Sequence, residues 1–513
     1  MTNGPVTTTQ YRIGFGLLLL VCFALNLGGW PLFDVDEGAF SAATMHMGQT
    51  GDLITTYLYG EPRFDKPILI YYLQLISTQI FGSNEFAYRL PSAVAGILWV
   101  LALYQFCSSV GSKKTASYVA VLMMTSLGVW SIARFATVDS VLNLLLCLAF
   151  IDIYRYYERP TKSLLLRVFV WLGLGLLAKG PIAVAVPLAG AAVLFIATGQ
   201  RIRLLKAIFN PYGWAIMIMI AAPWYWLAYL EQGQAFIEGF FITHNVERFA
   251  ATMEGHGGYL WYYLPIVFIV FLPNSGLLIP LLTRTRFQLL DPLSIYCWGT
   301  FAFVFCFFSL SSTQLPHYLL YGLSPLAILI ARHYEQGSPP HLLLHLTPSL
   351  AFSLIIANFP TIAKTVEQKT TDVHLSAMIS PLSDMDMGWF YLLAWLFVGL
   401  HLLLFVVKTS LMQRMIALGV CQALTLTLAF IPVVGELKQG PVKRAAMEAK
   451  SREETVVMWN ANAPSFATYY GQSISRRLPL SNELLFTRVD YLAPMSQDEV
   501  VFEEGGWVLI LKK

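Results

Sequence analysis

The sequence predicts an all-α protein that crosses a membrane many times and ends in a small α/β domain outside it. Three observations predict this. Hydrophobic residues make up 56% of the 513 and charged residues only 12%, about half the charged share of a soluble globular domain. Several apolar runs reach the roughly 20 residues that a helix needs to cross a bilayer. Near position 435 the composition changes: LKQGPVKRAAMEAKSREET is charged and helix-forming, VVMWN has strand character, and VVFEEGGWVLILKK reads as two strands joined around Gly505–Gly506. The expected division is a membrane part, 1–434, and an extracytoplasmic domain, 435–513, near the lower size at which a domain folds alone.

The first apolar run, Ile13 to Trp30, follows Arg12 and is not followed by a small-residue cleavage signal. It reads as a retained helix. Spans follow at 12–31, 88–109, 115–133, 138–155, 163–178, 181–198, 207–230, 258–282, 292–310, 316–333, 340–358, 388–408 and 411–434, about thirteen by hydropathy. The segment 67–82, PILIYYLQLISTQIFG, is short, starts at a proline and carries Gln74 and Gln79. It reads as a helix lying along the membrane surface, within the first outer loop.

The loops sort by charge. Lys113 and Lys114, then Arg155, Arg159 and Lys162, then Arg201, Arg203 and Lys206, then Arg284 and Arg286, then Arg332, then Lys408 and Arg414 fall on one side. Short basic loops stay in the cytoplasm. The acidic first loop, the 231–257 loop, the 311–315 turn and the 359–387 loop then face outward. An odd number of spans puts the N-terminus inside and the C-terminus outside. The net charge of +3 does not point to nucleic acid. The six cysteines lie in or at the ends of apolar runs with no CxxC pair, which reads as inert thiols rather than a disulfide framework.

The chemistry concentrates in LFDVDEGAFSAATMHMGQTGDLITTYLYGEPRFDKP, residues 32–67. Capping a helix needs one side chain and does not account for Asp34, Asp36 and Glu37 at a membrane exit. Lys66, between Asp65 and Pro67, has the place and charge to bind an anion, with Asp65 orienting it. Asp139 opens the helix after the second outer loop. Lys179 sits in the turn AKGPIAVAVP. FFITHNVERF carries His244, Asn245 and Arg248, and SSTQLPHYLL carries His317 and Tyr318. Charges at the ends of spans are functional candidates. Together they describe an outward cavity for an amphiphile with an anionic head and a long hydrocarbon tail. No metal-ligand spacing links the histidines; a divalent metal would have to be held by groups converging in space, and no other cofactor is expected.

DE at 36–37, GD at 51–52, GEPRFDKPILIYYL, NEFAYRLPSAVAG, AKGPIAVAVP, APWYW, FFITHNVERF, SLSSTQLPHYLL and LKQGPVK occur in that order. The set resembles the membrane glycosyltransferases of the GT-C fold that use polyprenyl-phosphate sugars. This is the aminoarabinose transferase and protein mannosyltransferase group, families 39 and 83. The resemblance implies transfer of a sugar from undecaprenyl phosphate to lipid A or another glycolipid, with inversion, in a bacterial inner membrane. Asp36 would be the main catalytic carboxylate, supported by Glu37, and Asp139 would lie near the sugar. Lys66 and Arg248 would hold the donor phosphate, with Lys179 beside them. Tyr59, Arg63, Asp65, His244, Asn245, His317 and Tyr318 would line the cavity. Where aminoarabinose transferases carry an Arg-Tyr pair, this chain has Ala39 and Phe40. Two other readings fit the same cavity: a protein O-glycosyl(mannosyl)transferase with the same donor, and a transporter or flippase of a lipid-linked sugar. The flippase reading lacks the paired broken helices of two symmetric halves.

Overall fold

The structure is a computed structural model that describes residues 8–247, 257–284, 291–336, 340–492 and 498–513. Arg248 and Arg286 lie outside the described residues. Among these, six helices are long and apolar enough to cross a bilayer: Glu85–Val110, Asp139–Glu158, Pro211–Gln232, Pro292–Ser309, Gly388–Val406 and the 40-residue Leu411–Lys450. Three bent pairs raise the number to nine: Lys113–Thr125 with Leu127–Arg134, Tyr263–Val270 with Ser275–Thr283, and Leu342–Ala357 with Phe359–Lys369.

Helix breaks, which hydropathy windows do not register, separate six from nine. At Ser126 the chain turns extended, and the freed amide of Leu127 donates to the carbonyl of Leu272 at 2.7 Å. The expected span at 316–333 begins as a 3-10 helix at Pro316 and becomes α-helical only from Leu323. Ile182–Ala197 and Ile13–Phe23 are apolar but shorter than a full crossing.

Helix Leu69–Phe81 has 13 residues, about 20 Å at the α-helical rise, against a hydrocarbon core of about 30 Å. Ile76, Ile80 and Phe81 are exposed and apolar. Buried Gln74 on the inner face accepts from Thr44 (2.8 Å) and donates to the carbonyls of Tyr88 and Ala136. A polar residue in an apolar helix is thus fully used as a splice between segments.

The main core runs through the helices around Trp99, Phe106, Phe150, Tyr154 and Tyr296. Apolar side chains such as Ile218, Met219, Trp226 and Leu402 stay exposed, as expected of surfaces that meet lipid. The six cysteines are free.

Helix Ile431–Lys450 continues past position 435 without a break and packs Val442, Ala445, Ala446 and Ala449 against Val456, Phe466, Leu484 and Leu509. Val456, Leu484 and Leu509 belong to a five-stranded sheet in the order Ser475–Arg476, Val456–Met458, Leu484–Arg488, Trp507–Leu511, Glu499–Glu504. The first three strands run parallel and the last two antiparallel. The final hairpin turns on Gly505 and Gly506, with φ of 55° and 81°, which glycine adopts at little cost. Helix Ser465–Tyr470 lies between the sheet and the membrane part.

Candidate active site

Helix Thr8–Phe23 ends with carbonyls that have no partner within the helix. Arg134 caps them: its guanidinium donates to the carbonyls of Cys22 (3.1 Å) and Leu25, stacked over Trp30 and Trp130. Arg89 holds the next stretch. Its Nη atoms donate to the carbonyls of Leu27, Trp30 and Pro31 at 2.9–3.0 Å, and its Nε and Nη2 grip both oxygens of Glu37 at 2.8 and 2.9 Å. Glu37 also accepts from the amides of Phe33 and Ala136. Arg89 and Glu37 are 0% and 1% exposed. The carboxylate of Glu37 is saturated with donors, so this residue positions the loop and has no lone pair left for a substrate. That corrects the placing of Glu37 beside Asp36 as a second reactive group.

Asp36 opens helix Asp36–Thr50, and no side chain caps that terminus. Neither does Asp139 cap its own helix; its carboxylate is engaged by Lys179 instead. Asp36 is exposed, yet protein surrounds it on the other sides. Among the described residues its carboxylate takes no hydrogen bond. Burial among the surrounding protein raises its pKa; Asp139 and Asp65 push the same way, while Lys66 and Lys179 pull back. A base must be ionised to act, so a reaction that used Asp36 as its base would be lost as pH falls through this raised value. The acid limb of kcat against pH is expected above the ordinary carboxylate range near 4; a limb at or below it would show that Asp36 does not titrate in catalysis.

Asp139 binds Lys179 at 2.5 Å and receives the hydroxyl of Tyr321 at 3.3 Å. His317 Nε2 stands 3.5 Å from Lys179 Nζ and 3.8 Å from Asp139, and the ammonium of Lys179 lies over the rings of Tyr318 and Tyr321. A second cation pair faces it. Asp65 accepts from Arg63 (2.8 Å) and Lys66 (2.5 Å), with His244 Nδ1 at 3.4 Å. Burial alone would raise the pKa of Asp65, but Lys66, Arg63 and His244 hold it well below the carboxylate range. Arg63 is itself fixed by the hydroxyl of Tyr71 and the face of Phe40.

A cavity of about 320 Å³ lies between these groups. Asp65, Lys66, Lys179, His244, Tyr318 and Tyr321 line its polar side; Ile182, Ala185, Phe240, Phe307 and Phe308 line its apolar side. Two ammonium groups beside an aromatic and aliphatic wall suit an anionic head on an apolar tail.

Of the residues singled out from sequence, Asp65, Lys66, Lys179, His244 and Tyr318 line the cavity, and Arg63 and His317 pair with its wall. Asp36 lies within electrostatic reach. Tyr59 points elsewhere: its hydroxyl donates to Asn462 (3.0 Å) and Arg476 covers its ring, so it belongs to the contact with the small domain. Asn245 is on the helix Ile237–Glu247, but its side chain, like Arg248, lies outside the described residues. Sequence reasoning missed Arg89 and Tyr321. Arg89 carried a signal, a charge within an apolar helix. Tyr321 carried none, since a tyrosine in an apolar run reads as core. Among the described residues no three His, Cys, Asp or Glu side chains converge on a metal position.

The structure of ArnT from Cupriavidus metallidurans bound to undecaprenyl phosphate superposes with a TM-score of 0.80, at 18% identity, over 98% of both chains. Its apo state gives 0.78. The chain has the GT-C fold. A family profile described as dolichyl-phosphate-mannose-protein mannosyltransferase matches residues 65–226 of this GT-C chain. Two curated relatives are each called undecaprenyl phosphate-alpha-4-amino-4-deoxy-L-arabinose arabinosyl transferase. The one from Erwinia tasmaniensis is 30% identical over 63% of this chain, and the one from Aeromonas hydrophila 31% identical over 64%. The chain spans 59–60% of the length of these relatives.

Proposed function

We propose that the protein transfers a sugar from a polyprenyl phosphate, of the undecaprenyl type, to lipid A or another glycolipid at the outer face of a bacterial inner membrane. The observation that carries this reading is the cavity where Lys66 and Lys179 stand against an apolar wall with Asp36 close by. The names of the curated relatives support the donor class. The basic loops would lie in the cytoplasm and the small domain in the periplasm.

The tail would lie against Phe240, Phe307 and Phe308 while Lys66 and Lys179, with Arg248 from the 231–257 loop, hold the phosphate. The acceptor oxygen bonds to the anomeric carbon as the bond from that carbon to the phosphate oxygen breaks. The electron pair leaves on the phosphate, where the ammonium groups stabilise it, and the acceptor proton passes to Asp36. One displacement inverts the anomeric centre. Asp65 and Asp139 keep each lysine aimed, and the three donors of an ammonium let it bind carboxylate and phosphate together.

Lys66→Ala is expected to weaken donor binding about tenfold, or about 1.4 kcal/mol, read by titration with undecaprenyl phosphate; unchanged affinity would remove Lys66 from the phosphate site. The function itself is tested with purified protein in detergent, a labelled undecaprenyl-phosphate sugar, and either lipid A or a membrane-protein extract. Label on lipid supports the proposal. Label on protein supports the second reading, a protein O-glycosyltransferase, which the description of the profile over residues 65–226 favours. Donor movement between leaflets without transfer would establish a flippase.

A further inference from the structure

The three acids at 34–37 point in three directions. Glu37 is fixed to the membrane part by Arg89, and Asp36 is left without a partner among the described residues. Asp34 is fixed to the small domain. Its Oδ1 accepts from the amide of Ser465 at 2.8 Å and its Oδ2 from the Ser465 hydroxyl at 2.6 Å. Gln439, with its amide in the orientation that satisfies both groups, donates to Asp34 Oδ2 at 2.9 Å and accepts from the Asp34 amide at 3.1 Å. Ser465 and Gln439 are both buried.

The same seam is close-packed along its length. Leu32 donates its amide to the Tyr469 hydroxyl at 2.7 Å, and Ser41 pairs with Thr468 at 3.1 Å. A Cβ on Gly38 would stand 2.5 Å from the Ser465 amide nitrogen, nearer than a real side chain comes, so the small domain rests directly on the backbone next to Asp36. Ala42 adds an apolar contact in the cluster of Ala463, Phe466 and Ala467.

We infer that the small domain is a positioning device for transfer, with Ser465 and Gln439 gripping Asp34 and thereby aiming the Asp36 carboxylate. The inference rests on the function proposed above. Asp34, Ser465 and Gln439 are positioning residues and touch no substrate. A carboxylate that carries no hydrogen bond of its own takes its direction from the main chain on either side. That main chain is clamped at Asp34 by one domain and at Glu37 by the other. Loosening the Asp34 clamp misaims the base without altering the phosphate site, so it lowers kcat and leaves the donor KM in place.

The test uses the full chain in detergent with the labelled undecaprenyl-phosphate sugar and lipid A. Ser465→Ala keeps the amide donor and removes only the hydroxyl. Arg444→Ala serves as control: it breaks ion pairs to Glu436 and Glu504 in the same region and leaves Asp34 untouched. The expected result is a fall in kcat of about tenfold for Ser465→Ala at unchanged donor KM, with Arg444→Ala near the parent. Unchanged kcat in Ser465→Ala overturns the inference, and so does an equal fall in both variants, which would report domain stability alone. If Ser465→Ala does not accumulate folded, Asp34→Asn takes its place under the same two readings. Absence of transfer by the parent protein overturns the proposed function itself, and the inference with it.

Discussion

Asp36→Asn is expected to lower transfer by about 10²–10⁴-fold, the range for loss of a positioned general base, while undecaprenyl phosphate still binds. The substitution is nearly isosteric, and among the described residues the Asp36 carboxylate takes no hydrogen bond that the amide would forfeit. Folding should therefore be spared. The cations that would hold the phosphate are anchored by other carboxylates, Lys66 by Asp65 and Lys179 by Asp139, so donor affinity should persist. Single-turnover transfer and a separate titration of the lipid phosphate check the two halves of this expectation. Parent-like turnover would remove Asp36 from the reaction. A combined loss of turnover and donor binding would instead make it part of the phosphate site.

Glu37→Ala is expected to destabilise the fold by about 3–5 kcal/mol, the usual result of stranding one member of a buried ion pair. Here the loss should lie at the upper end. Arg89 would keep its charge inside the protein, and the amides of Phe33 and Ala136 would lose their acceptor. Replacing both partners with apolar residues, which is often harmless for an isolated buried pair, should fail as well. The carbonyls of Leu27, Trp30 and Pro31 depend on the same guanidinium, and orphaned backbone groups are expensive. Thermal unfolding in detergent and the folded fraction by gel filtration give the measurement. A Glu37→Ala protein as stable as its parent, but inactive, would return Glu37 to the reacting groups.

The membrane-spanning character, the final hairpin at Gly505–Gly506 and the pairing of Lys66 with Asp65 could be read from local sequence, because each depends on residues near one another in the chain. The separate duties of Asp34 and Glu37 could not. Both look like members of one acidic cluster with Asp36, and their partners lie 431 and 52 residues away at Ser465 and Arg89. The same holds for Lys179, whose partner Asp139 is 40 residues distant. Tyr59 misled for a related reason: it sits among the charged residues of the 32–67 stretch, yet its hydroxyl and ring meet Asn462 and Arg476 near the far end of the chain. The breaks at Ser126 and Pro316 escaped hydropathy because a bent apolar segment is as apolar as a straight one.

The 40-residue helix Leu411–Lys450 is about 60 Å long, twice the roughly 30 Å of a hydrocarbon core. Its first half is apolar enough for lipid tails to solvate; its second half is largely buried and forms part of the core beneath the sheet. The helix is therefore a mast whose first half is apolar enough to be seated in lipid and whose second half carries Gln439. The π-helical turn Leu426–Phe430, with Pro432 just after it, lies at its midpoint, where a helix bends most readily, so the mast carries its joint between the part that lipid can solvate and the part that holds Gln439.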